Sequence, residues 1–166
     1  PYYGHAGNMG DAVLWGEAMG AEMRHLSGCQ GHGSLAHPHG ILITWALMME
    51  GGFQVNIDGD RFSNEHLGYS EQSIPVLRQP DSIAWSIFDQ RLYDFARSFP
   101  DFVEADKAGA VRLANNVTAL AEAIGVSSDA LRETFARVGS YQAGKATDPF
   151  GRDFAAKPAL SPPYYA

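Results

Sequence analysis

Three histidines that lie close together are the first residues that could do chemistry. His32, His37 and His39 occupy an irregular, glycine-rich segment, and imidazoles are common ligands of zinc and iron. Cys29 is the one nearby thiol, no carboxylate stands at a ligand-like spacing, and Pro38 restricts the geometry. We therefore predict no metal centre and interpret His37 and His39 as turn and surface residues. A free-standing module that binds a small ligand or a metal through this His-rich loop is the alternative function.

A second candidate is the segment Gly7–Asp11, Gly-Asn-Met-Gly-Asp, which directly precedes a predicted helix. Small residues at such a position let an anionic or ribose-bearing ligand approach the backbone N–H groups of the helix. The carboxylate of Asp11 could then accept hydrogen bonds from hydroxyl groups. A helix cap at Asn8 explains the segment equally well, so the segment gains meaning only together with other motifs.

Composition excludes several classes of partner. Lys and Arg number 12 against 19 Asp and Glu, a formal charge of -7, and the basic residues form no run that could follow a phosphate backbone. The longest apolar stretch, Ile41–Met49, is far shorter than the roughly 20 residues of a bilayer span. We expect no nucleic acid and no membrane as partners. A lone cysteine, Cys29, fits a reducing compartment, so we expect a cytoplasmic location.

The elements of the first two thirds alternate irregularly. Residues 10–19 have one apolar helical face, and residues 21–26 resemble a strand. Phe53 and Val55 alternate with polar residues before the turn at Asp58-Gly59, which predicts a hairpin with one buried face whose second strand begins at Asp60. A further strand is predicted over residues 83–88, followed by a helix over residues 90–99 that Pro100 ends.

The last third of the sequence predicts a helical hairpin. Apolar residues recur at helical spacing from Val117, behind the capping residue Asn116, and the helix ends at Gly125, which suits a left-handed position. A second helix starts at Ser127 or Ser128. We therefore predict an α+β fold, in which a small, mostly antiparallel sheet packs against helices that include this C-terminal hairpin.

The order of several motifs along the chain resembles one flavoprotein family. After Gly-Asn-Met-Gly-Asp come segments that begin with Glu17, Gln30, Glu50, Asp58 and Ala84, and they have these sequences: Glu-Ala-Met-Gly-Ala, Gln-Gly-His-Gly, Glu-Gly-Gly-Phe-Gln-Val-Asn, Asp-Gly-Asp-Arg-Phe-Ser-Asn-Glu and Ala-Trp-Ser-Ile-Phe-Asp. Later segments with the same resemblance are Leu120–Val126, Phe150–Arg152 and Pro162–Ala166. The family is that of fumarate reductase, succinate dehydrogenase, aspartate oxidase and 3-ketosteroid dehydrogenase, and the resemblance spans nearly the whole chain.

The resemblance implies a capping domain that closes over the flavin of an FAD-dependent oxidoreductase. Residues 1–25 would be a linker segment from the FAD-binding domain, and residues 26–166 would form the substrate-capping domain. Both ends are expected to continue in a longer parent, whose FAD-binding domain would be the partner of this chain. The parent would transfer hydride between FAD and a carbon–carbon bond next to a carbonyl. The isolated chain would be inactive.

The resemblance also assigns site residues one by one. Gly10 and Asp11 match the Gly-Asp pair that contacts FAD. His32 matches the histidine of a His-Pro-Thr substrate motif, although Gly33-Ser34 replaces Pro-Thr here. Thr44 matches the threonine of a Thr-Glu-x-x-Arg segment that grips a substrate carboxylate.

Departures from this pattern disfavour a dicarboxylate substrate. Trp45 and Met48 replace the Glu and the Arg of that segment, and neither side chain supplies a cation. Tyr69 aligns with the proton-delivering arginine and resembles the catalytic tyrosine of the ketosteroid dehydrogenases, so it is the predicted catalytic acid–base group. Arg61 and Glu65 are predicted substrate-binding residues, with solvated surface charges as the alternative.

Overall fold

The computed structural model describes residues 2–166 and divides into two compact units, Pro1–Gln30 and Gly31–Ala166. Seven helices lie in the described chain: α1 (Asp11–Ala18), α2 (Ala46–Met49), α3 (Tyr69–Leu77), α4 (Gln90–Ala96), α5 (Pro100–Lys107), α6 (Val117–Ile124) and α7 (Ser128–Gln142). Its six strands are short: β1 (Leu35–Ala36), β2 (Ile41–Leu42), β3 (Phe53–Val55), β4 (Trp85–Asp89), β5 (Leu113–Ala114) and β6 (Tyr164–Tyr165). Single 3-10 turns cover Glu65–Leu67 and Pro80–Ser82.

The first unit contains one helix, α1, and none of its residues is buried. The helix that the sequence predicts is present, but its apolar residues do not gather on one face, and Leu14 and Trp15 are exposed. Residues 21–26, which the sequence predicts as a strand, form no strand. A strand is stable only when its backbone groups pair with a neighbour, and no strand lies elsewhere within residues 2–30 to provide one.

The second unit is built on a four-stranded antiparallel sheet with the order β3-β4-β6-β5. Helices pack against this sheet, so the predicted α+β fold is confirmed. The turn at Asp58-Gly59 also forms, with the Asn56 amide donating to the Asp60 carbonyl at 2.9 Å. The predicted hairpin is nevertheless wrong, because β3 pairs with β4 rather than with residues 60–62.

Burial along β3 also differs from the prediction. All three of its residues are buried, including Gln54 at 2% exposure. Alternation of polar and apolar residues predicts a solvated face only when the polar side chain has no buried partner. Gln54 has such partners, because its side chain donates to the Gly33 carbonyl and accepts from Gln72 Nε2.

Apolar side chains on the two sides of the sheet form two core clusters. The first lies between β3, β4 and the α6–α7 hairpin, and its largest members are these: Phe53, Val55, Ile87, Leu120 and Leu131. The second lies among α2, α4 and α5: Leu47, Met48, Phe88, Leu92 and Phe102. Helix α5 was missed by sequence reasoning, because Pro100 occupies its first turn, where proline is well tolerated.

The predicted helical hairpin is confirmed in detail. The Asn116 side chain accepts a hydrogen bond from the Ala119 amide at 2.9 Å, and Gly125 ends α6 at φ 73°. The Ser127 hydroxyl caps α7 by accepting from the Ala130 amide at 3.3 Å. Local signals specify this motif because both caps lie within three residues of the groups they satisfy.

Removal of the α6 cap is expected to weaken the fold measurably. Asn116→Ala leaves the Ala119 amide without its side-chain acceptor, which should lower the free energy of unfolding by about 1 kcal/mol. Urea denaturation followed by circular dichroism measures this change. Asn116→Asp keeps an acceptor oxygen and should unfold close to the wild type, and equal losses in the two variants would contradict a capping role.

Candidate active site

A short hairpin brings two predicted site segments side by side. Strands β1 and β2 pair through Leu35 and Leu42, and the Ser34 carbonyl extends the ladder by accepting from the Ile43 amide at 3.1 Å. The segment that precedes β1 and the segment that follows β2 are therefore neighbours. The His32 ring lies 6.3 Å from the Trp45 ring in an edge-on arrangement with an interplanar angle of 89°.

Thr44 lies in the segment that follows β2, where helix α2 begins. Its hydroxyl accepts a hydrogen bond from the Ala46 amide at 3.3 Å, and its carbonyl accepts one from the Leu47 amide. The local structure of Thr44 is therefore fixed by the start of α2, next to Trp45. Its predicted contact with substrate stays a prediction.

Tyr69 stacks on His32. Their ring centroids are 4.8 Å apart, with an interplanar angle of 24°. Tyr69 is the first residue of α3, and the preceding Gly68 has φ 126°, a backbone conformation that glycine adopts without strain. Tyr69 is 42% exposed, so the stacked pair lies at the protein surface rather than in the core. The structure thus brings together two residues that the sequence analysis selected separately.

The surroundings of the His32 imidazole favour its neutral form. Burial lowers its pKa from 6.5, and the hydrogen bond with the Ser34 backbone opposes this effect only in part. Its Nδ1 lies 3.1 Å from the Ser34 carbonyl oxygen and 3.2 Å from the Ser34 amide nitrogen. A neutral imidazole has one donor and one acceptor nitrogen. The Ser34 backbone therefore orients the ring and engages Nδ1.

Arg61 and Glu65 form a buried ion pair, so the alternative of solvated surface charges is wrong. Their side chains are 5% and 1% exposed. Arg61 Nε and Nη2 donate to the two Glu65 carboxylate oxygens at 3.0 and 2.8 Å. Such bidentate pairing fixes both groups strongly. The predicted contact of Arg61 and Glu65 with substrate stays a prediction.

Two residues that sequence reasoning gave no role complete this network. Arg61 Nη1 donates to Asp148 Oδ1 at 2.6 Å, and Arg152 Nη1 donates to Glu65 Oε2 at 3.1 Å. Both guanidinium groups also lie over the Phe154 ring, at 4.6 and 4.3 Å from its centroid. Two arginines and two carboxylates thus balance each other in the interior. Phe150–Arg152 was part of the family resemblance, but nothing in the sequence indicated Asp148.

Gly10 and Asp11 lie in the first unit. Gly10 is the N-cap of α1 at φ 81°, and no side chain caps the helix. Asn8 accepts from the Gly10 amide at 3.4 Å, so the cap predicted at Asn8 is wrong. A Cβ built on Gly10 would meet no atom within 4 Å, and Asp11 is exposed. This open, uncapped helix start fits the approach of a polar cofactor group.

The remaining histidines do not converge on His32. His37 and His39 lie in the exposed turn between β1 and β2. Across residues 2–166, no three side chains of the His, Cys, Asp or Glu type are grouped as a metal would require. None of the helices in the same residues has the length and apolar character of a membrane span.

Comparison with known proteins identifies the family. A probable fumarate reductase, Ifc3, of Shewanella frigidimarina strain NCIMB 400 is 31% identical over 157 residues, which are 95% of this chain and 26% of that protein. The solved open conformation of a flavocytochrome c3 fumarate reductase matches with a TM-score of 0.70 and 30% identity, over 94% of this chain and 27% of that chain. The chain belongs to this family of flavoprotein oxidoreductases. It spans about a quarter of the length of these relatives.

A more distant solved structure shares the fold. A 3-ketosteroid delta1-dehydrogenase from Sterolibacterium denitrificans, solved with 1,4-androstadiene-3,17-dione, matches with a TM-score of 0.62 and 22% identity, over 97% of this chain and 34% of that chain. At this identity the similarity concerns the fold alone. No family model matches the chain.

The two residues that depart from the fumarate reductase pattern, Trp45 and Met48, lie in the core. Trp45 is 7% exposed and Met48 is 1% exposed, and both belong to the cluster around α2. Met48 packs beside Leu47, a fully buried residue. Neither position therefore presents a charged group beside Thr44.

Proposed function

We propose that residues 26–166 are the substrate-capping domain of an FAD-dependent oxidoreductase that transfers hydride between flavin and a carbon–carbon bond adjacent to a carbonyl. Residues 1–25 would be the linker segment from the FAD-binding domain of the same parent. The observation that carries this proposal is the stacked pair of His32 and Tyr69, at 4.8 Å, in a chain homologous to fumarate reductase flavoproteins. Two groups able to bind a carbonyl and move a proton share one surface there.

Tyr69 would be the acid–base group. Its phenol oxygen would take a proton from, or return one to, the carbon next to the substrate carbonyl. Neutral His32 would donate or accept a hydrogen bond through Nε2, because Nδ1 is engaged by the Ser34 backbone. Thr44 would help to hold the substrate at the start of α2. Arg61 and Glu65 would serve mainly by fixing the backbone that leads to α3.

The cofactor would be held mostly by parts of the parent outside this chain. FAD supplies the hydride acceptor or donor when bound. Gly10 and Asp11 would contact it, since the start of α1 has no side-chain cap and the Asp11 carboxylate is exposed. The exposed apolar residues of α1, Leu14 and Trp15 among them, would pack against the FAD-binding domain. The isolated chain should therefore be inactive.

The substrate would be a neutral carbonyl compound. A dicarboxylate requires fixed cationic donors, and the buried Trp45 and Met48 provide none beside Thr44. Fumarate and succinate should consequently be poor substrates of the parent. A ketone with apolar substituents fits the aromatic surroundings of His32 better.

The visible spectrum of the purified parent protein tests the proposal directly. We expect a flavin absorption band and stoichiometric FAD, because hydride transfer of this kind requires the cofactor. The 166-residue chain, expressed alone, is the control and should bind little flavin. A colourless parent, or one that contains stoichiometric zinc instead, would overturn the proposal in favour of a ligand- or metal-binding module.

A further inference from the structure

Gly33 connects His32 to the helix that carries Tyr69. Its amide donates to the Tyr69 carbonyl at 2.9 Å, and its carbonyl accepts from Gln54 Nε2 at 3.0 Å. Both backbone groups of Gly33 are thus held, one by α3 and the other by β3. The distance between His32 and Tyr69 depends on this residue because it follows His32 directly.

Two buried glutamines carry the connection through the interior. Gln54 and Gln72 are each 2% exposed, and Gln72 Nε2 donates to Gln54 Oε1 at 2.9 Å. The Ser63 hydroxyl donates to Gln72 Oε1 at 2.8 Å. The backbone amide of Gln54 donates to Glu65 Oε1 at 3.0 Å. Buried amides are costly unless their hydrogen bonds are made, and these contacts meet that requirement across three separate segments.

Close packing adds to the hydrogen bonds. A Cβ built on Gly33 would lie 2.7 Å from Gln72 Cβ and 3.1 Å from the Gln72 backbone carbon. Only glycine therefore lets the His32 segment approach α3 so closely. The family motif has proline after the histidine, and proline has no N–H to donate, so the bond from Gly33 to the Tyr69 carbonyl belongs to this chain's own sequence.

We propose that Gln54 and Gln72 are positioning residues that hold His32 in register against Tyr69 through Gly33. This inference rests on the proposed function for its catalytic meaning, but the geometry concerns this chain alone. The glutamine pair would fix the reacting groups at the separation the chemistry needs. A misplacement of reacting groups by about 1 Å can cost about two orders of magnitude in rate.

NMR of the His32 ring in the 166-residue chain tests the positioning role without any cofactor. In Gln72→Met, the methionine side chain has a length similar to that of glutamine and makes no hydrogen bond to Gln54. The protons of the His32 ring should then lose the ring-current shift caused by Tyr69, and the pKa of His32 should rise toward 6.5. Ser63→Ala is a milder variant that removes one partner of Gln72 and should shift the same signals less. Thr134→Val is the matched control, because it deletes another buried hydrogen bond, to the Gly59 carbonyl.

The outcomes separate positioning from general stability. We expect His32 signals to change in Gln72→Met and Ser63→Ala and to stay unchanged in Thr134→Val. In the parent, Gln72→Met should lower kcat by about tenfold or more with a smaller change in KM, while Thr134→Val should not. Unchanged His32 signals in folded Gln72→Met or Ser63→Ala would overturn the inference. If the parent lacks flavin, the proposed function fails, whereas the NMR result still decides the positioning role.

Discussion

Glu65→Gln is expected to lower the free energy of unfolding of the chain by about 3–5 kcal/mol, a large part of the stability of an ordinary domain. Glu65 accepts hydrogen bonds from Arg61 and Arg152 and from the Gln54 amide. A neutral amide would leave two buried guanidinium groups with Asp148 as the one carboxylate of the network. Urea denaturation followed by tryptophan fluorescence measures the loss.

An exposed ion pair provides the control. Arg137 donates to Glu133 at 3.1 Å, with side chains that are 42% and 69% exposed. Solvent screens such pairs, so Glu133→Gln should change the free energy of unfolding by less than about 1 kcal/mol. Similar losses in the Glu65 and Glu133 variants would show that burial does not decide the strength of these pairs.

The same network predicts how stability depends on pH. Burial alone would raise the pKa of Glu65, but the hydrogen bond and charge of Arg61 and the charge of Arg152 outweigh it, so the pKa lies below 4.5. Ionised Glu65 therefore stabilises the fold above pH 4.5, its value in the unfolded chain, and this contribution is lost as the pH falls through the lower folded pKa. Glu65→Gln should lose less stability than the wild type between neutral pH and pH 3. If the free energy of unfolding fell equally with pH in Glu65→Gln and in the wild type, this assignment would be contradicted.

Local signals made part of the fold predictable. The α6–α7 hairpin follows from Asn116, Gly125 and Ser127, because each cap acts on a helix end beside it. The predicted strand over residues 21–26 failed for the opposite reason. Strand formation depends on a partner distant in sequence, and propensity alone does not supply one.

Non-local contacts account for what the sequence could not predict. Arg61 and Asp148 are 87 residues apart in sequence, and Arg61 Nη1 lies 2.6 Å from Asp148 Oδ1. No periodicity in the sequence predicts such a pair. Gln54 has the polar character of a solvent-facing position, yet its side chain is satisfied in the interior by Gly33 and Gln72. The candidate pair of His32 and Tyr69 came from the family resemblance, and their stacking emerged only with the tertiary structure.

Tyr69→Phe tests the catalytic assignment with the largest expected effect on rate. Phenylalanine keeps the ring that stacks on His32 and removes the hydroxyl that would move the proton. Turnover by the flavin-bound parent should fall by about two orders of magnitude or more. Flavin content should be unchanged, since the substitution leaves Gly10 and Asp11, the residues of this chain proposed to contact FAD, unaltered. Steady-state and single-turnover kinetics with a ketone substrate measure the effect.

Tyr141→Phe is the matched control for this substitution. Tyr141 is a half-buried tyrosine on α7 that packs at 5.8 Å from the Phe154 ring, and the proposed mechanism gives its hydroxyl no role. Its loss of a hydroxyl should leave kcat within about twofold of the wild type, the scale of a change that involves no acid–base group. Because the Tyr69 variant keeps its aromatic surface, KM should change much less than kcat, which is the pattern of an interaction made only in the transition state. An unchanged kcat would remove Tyr69 from the mechanism, whereas a rise in KM alone would make it a binding residue.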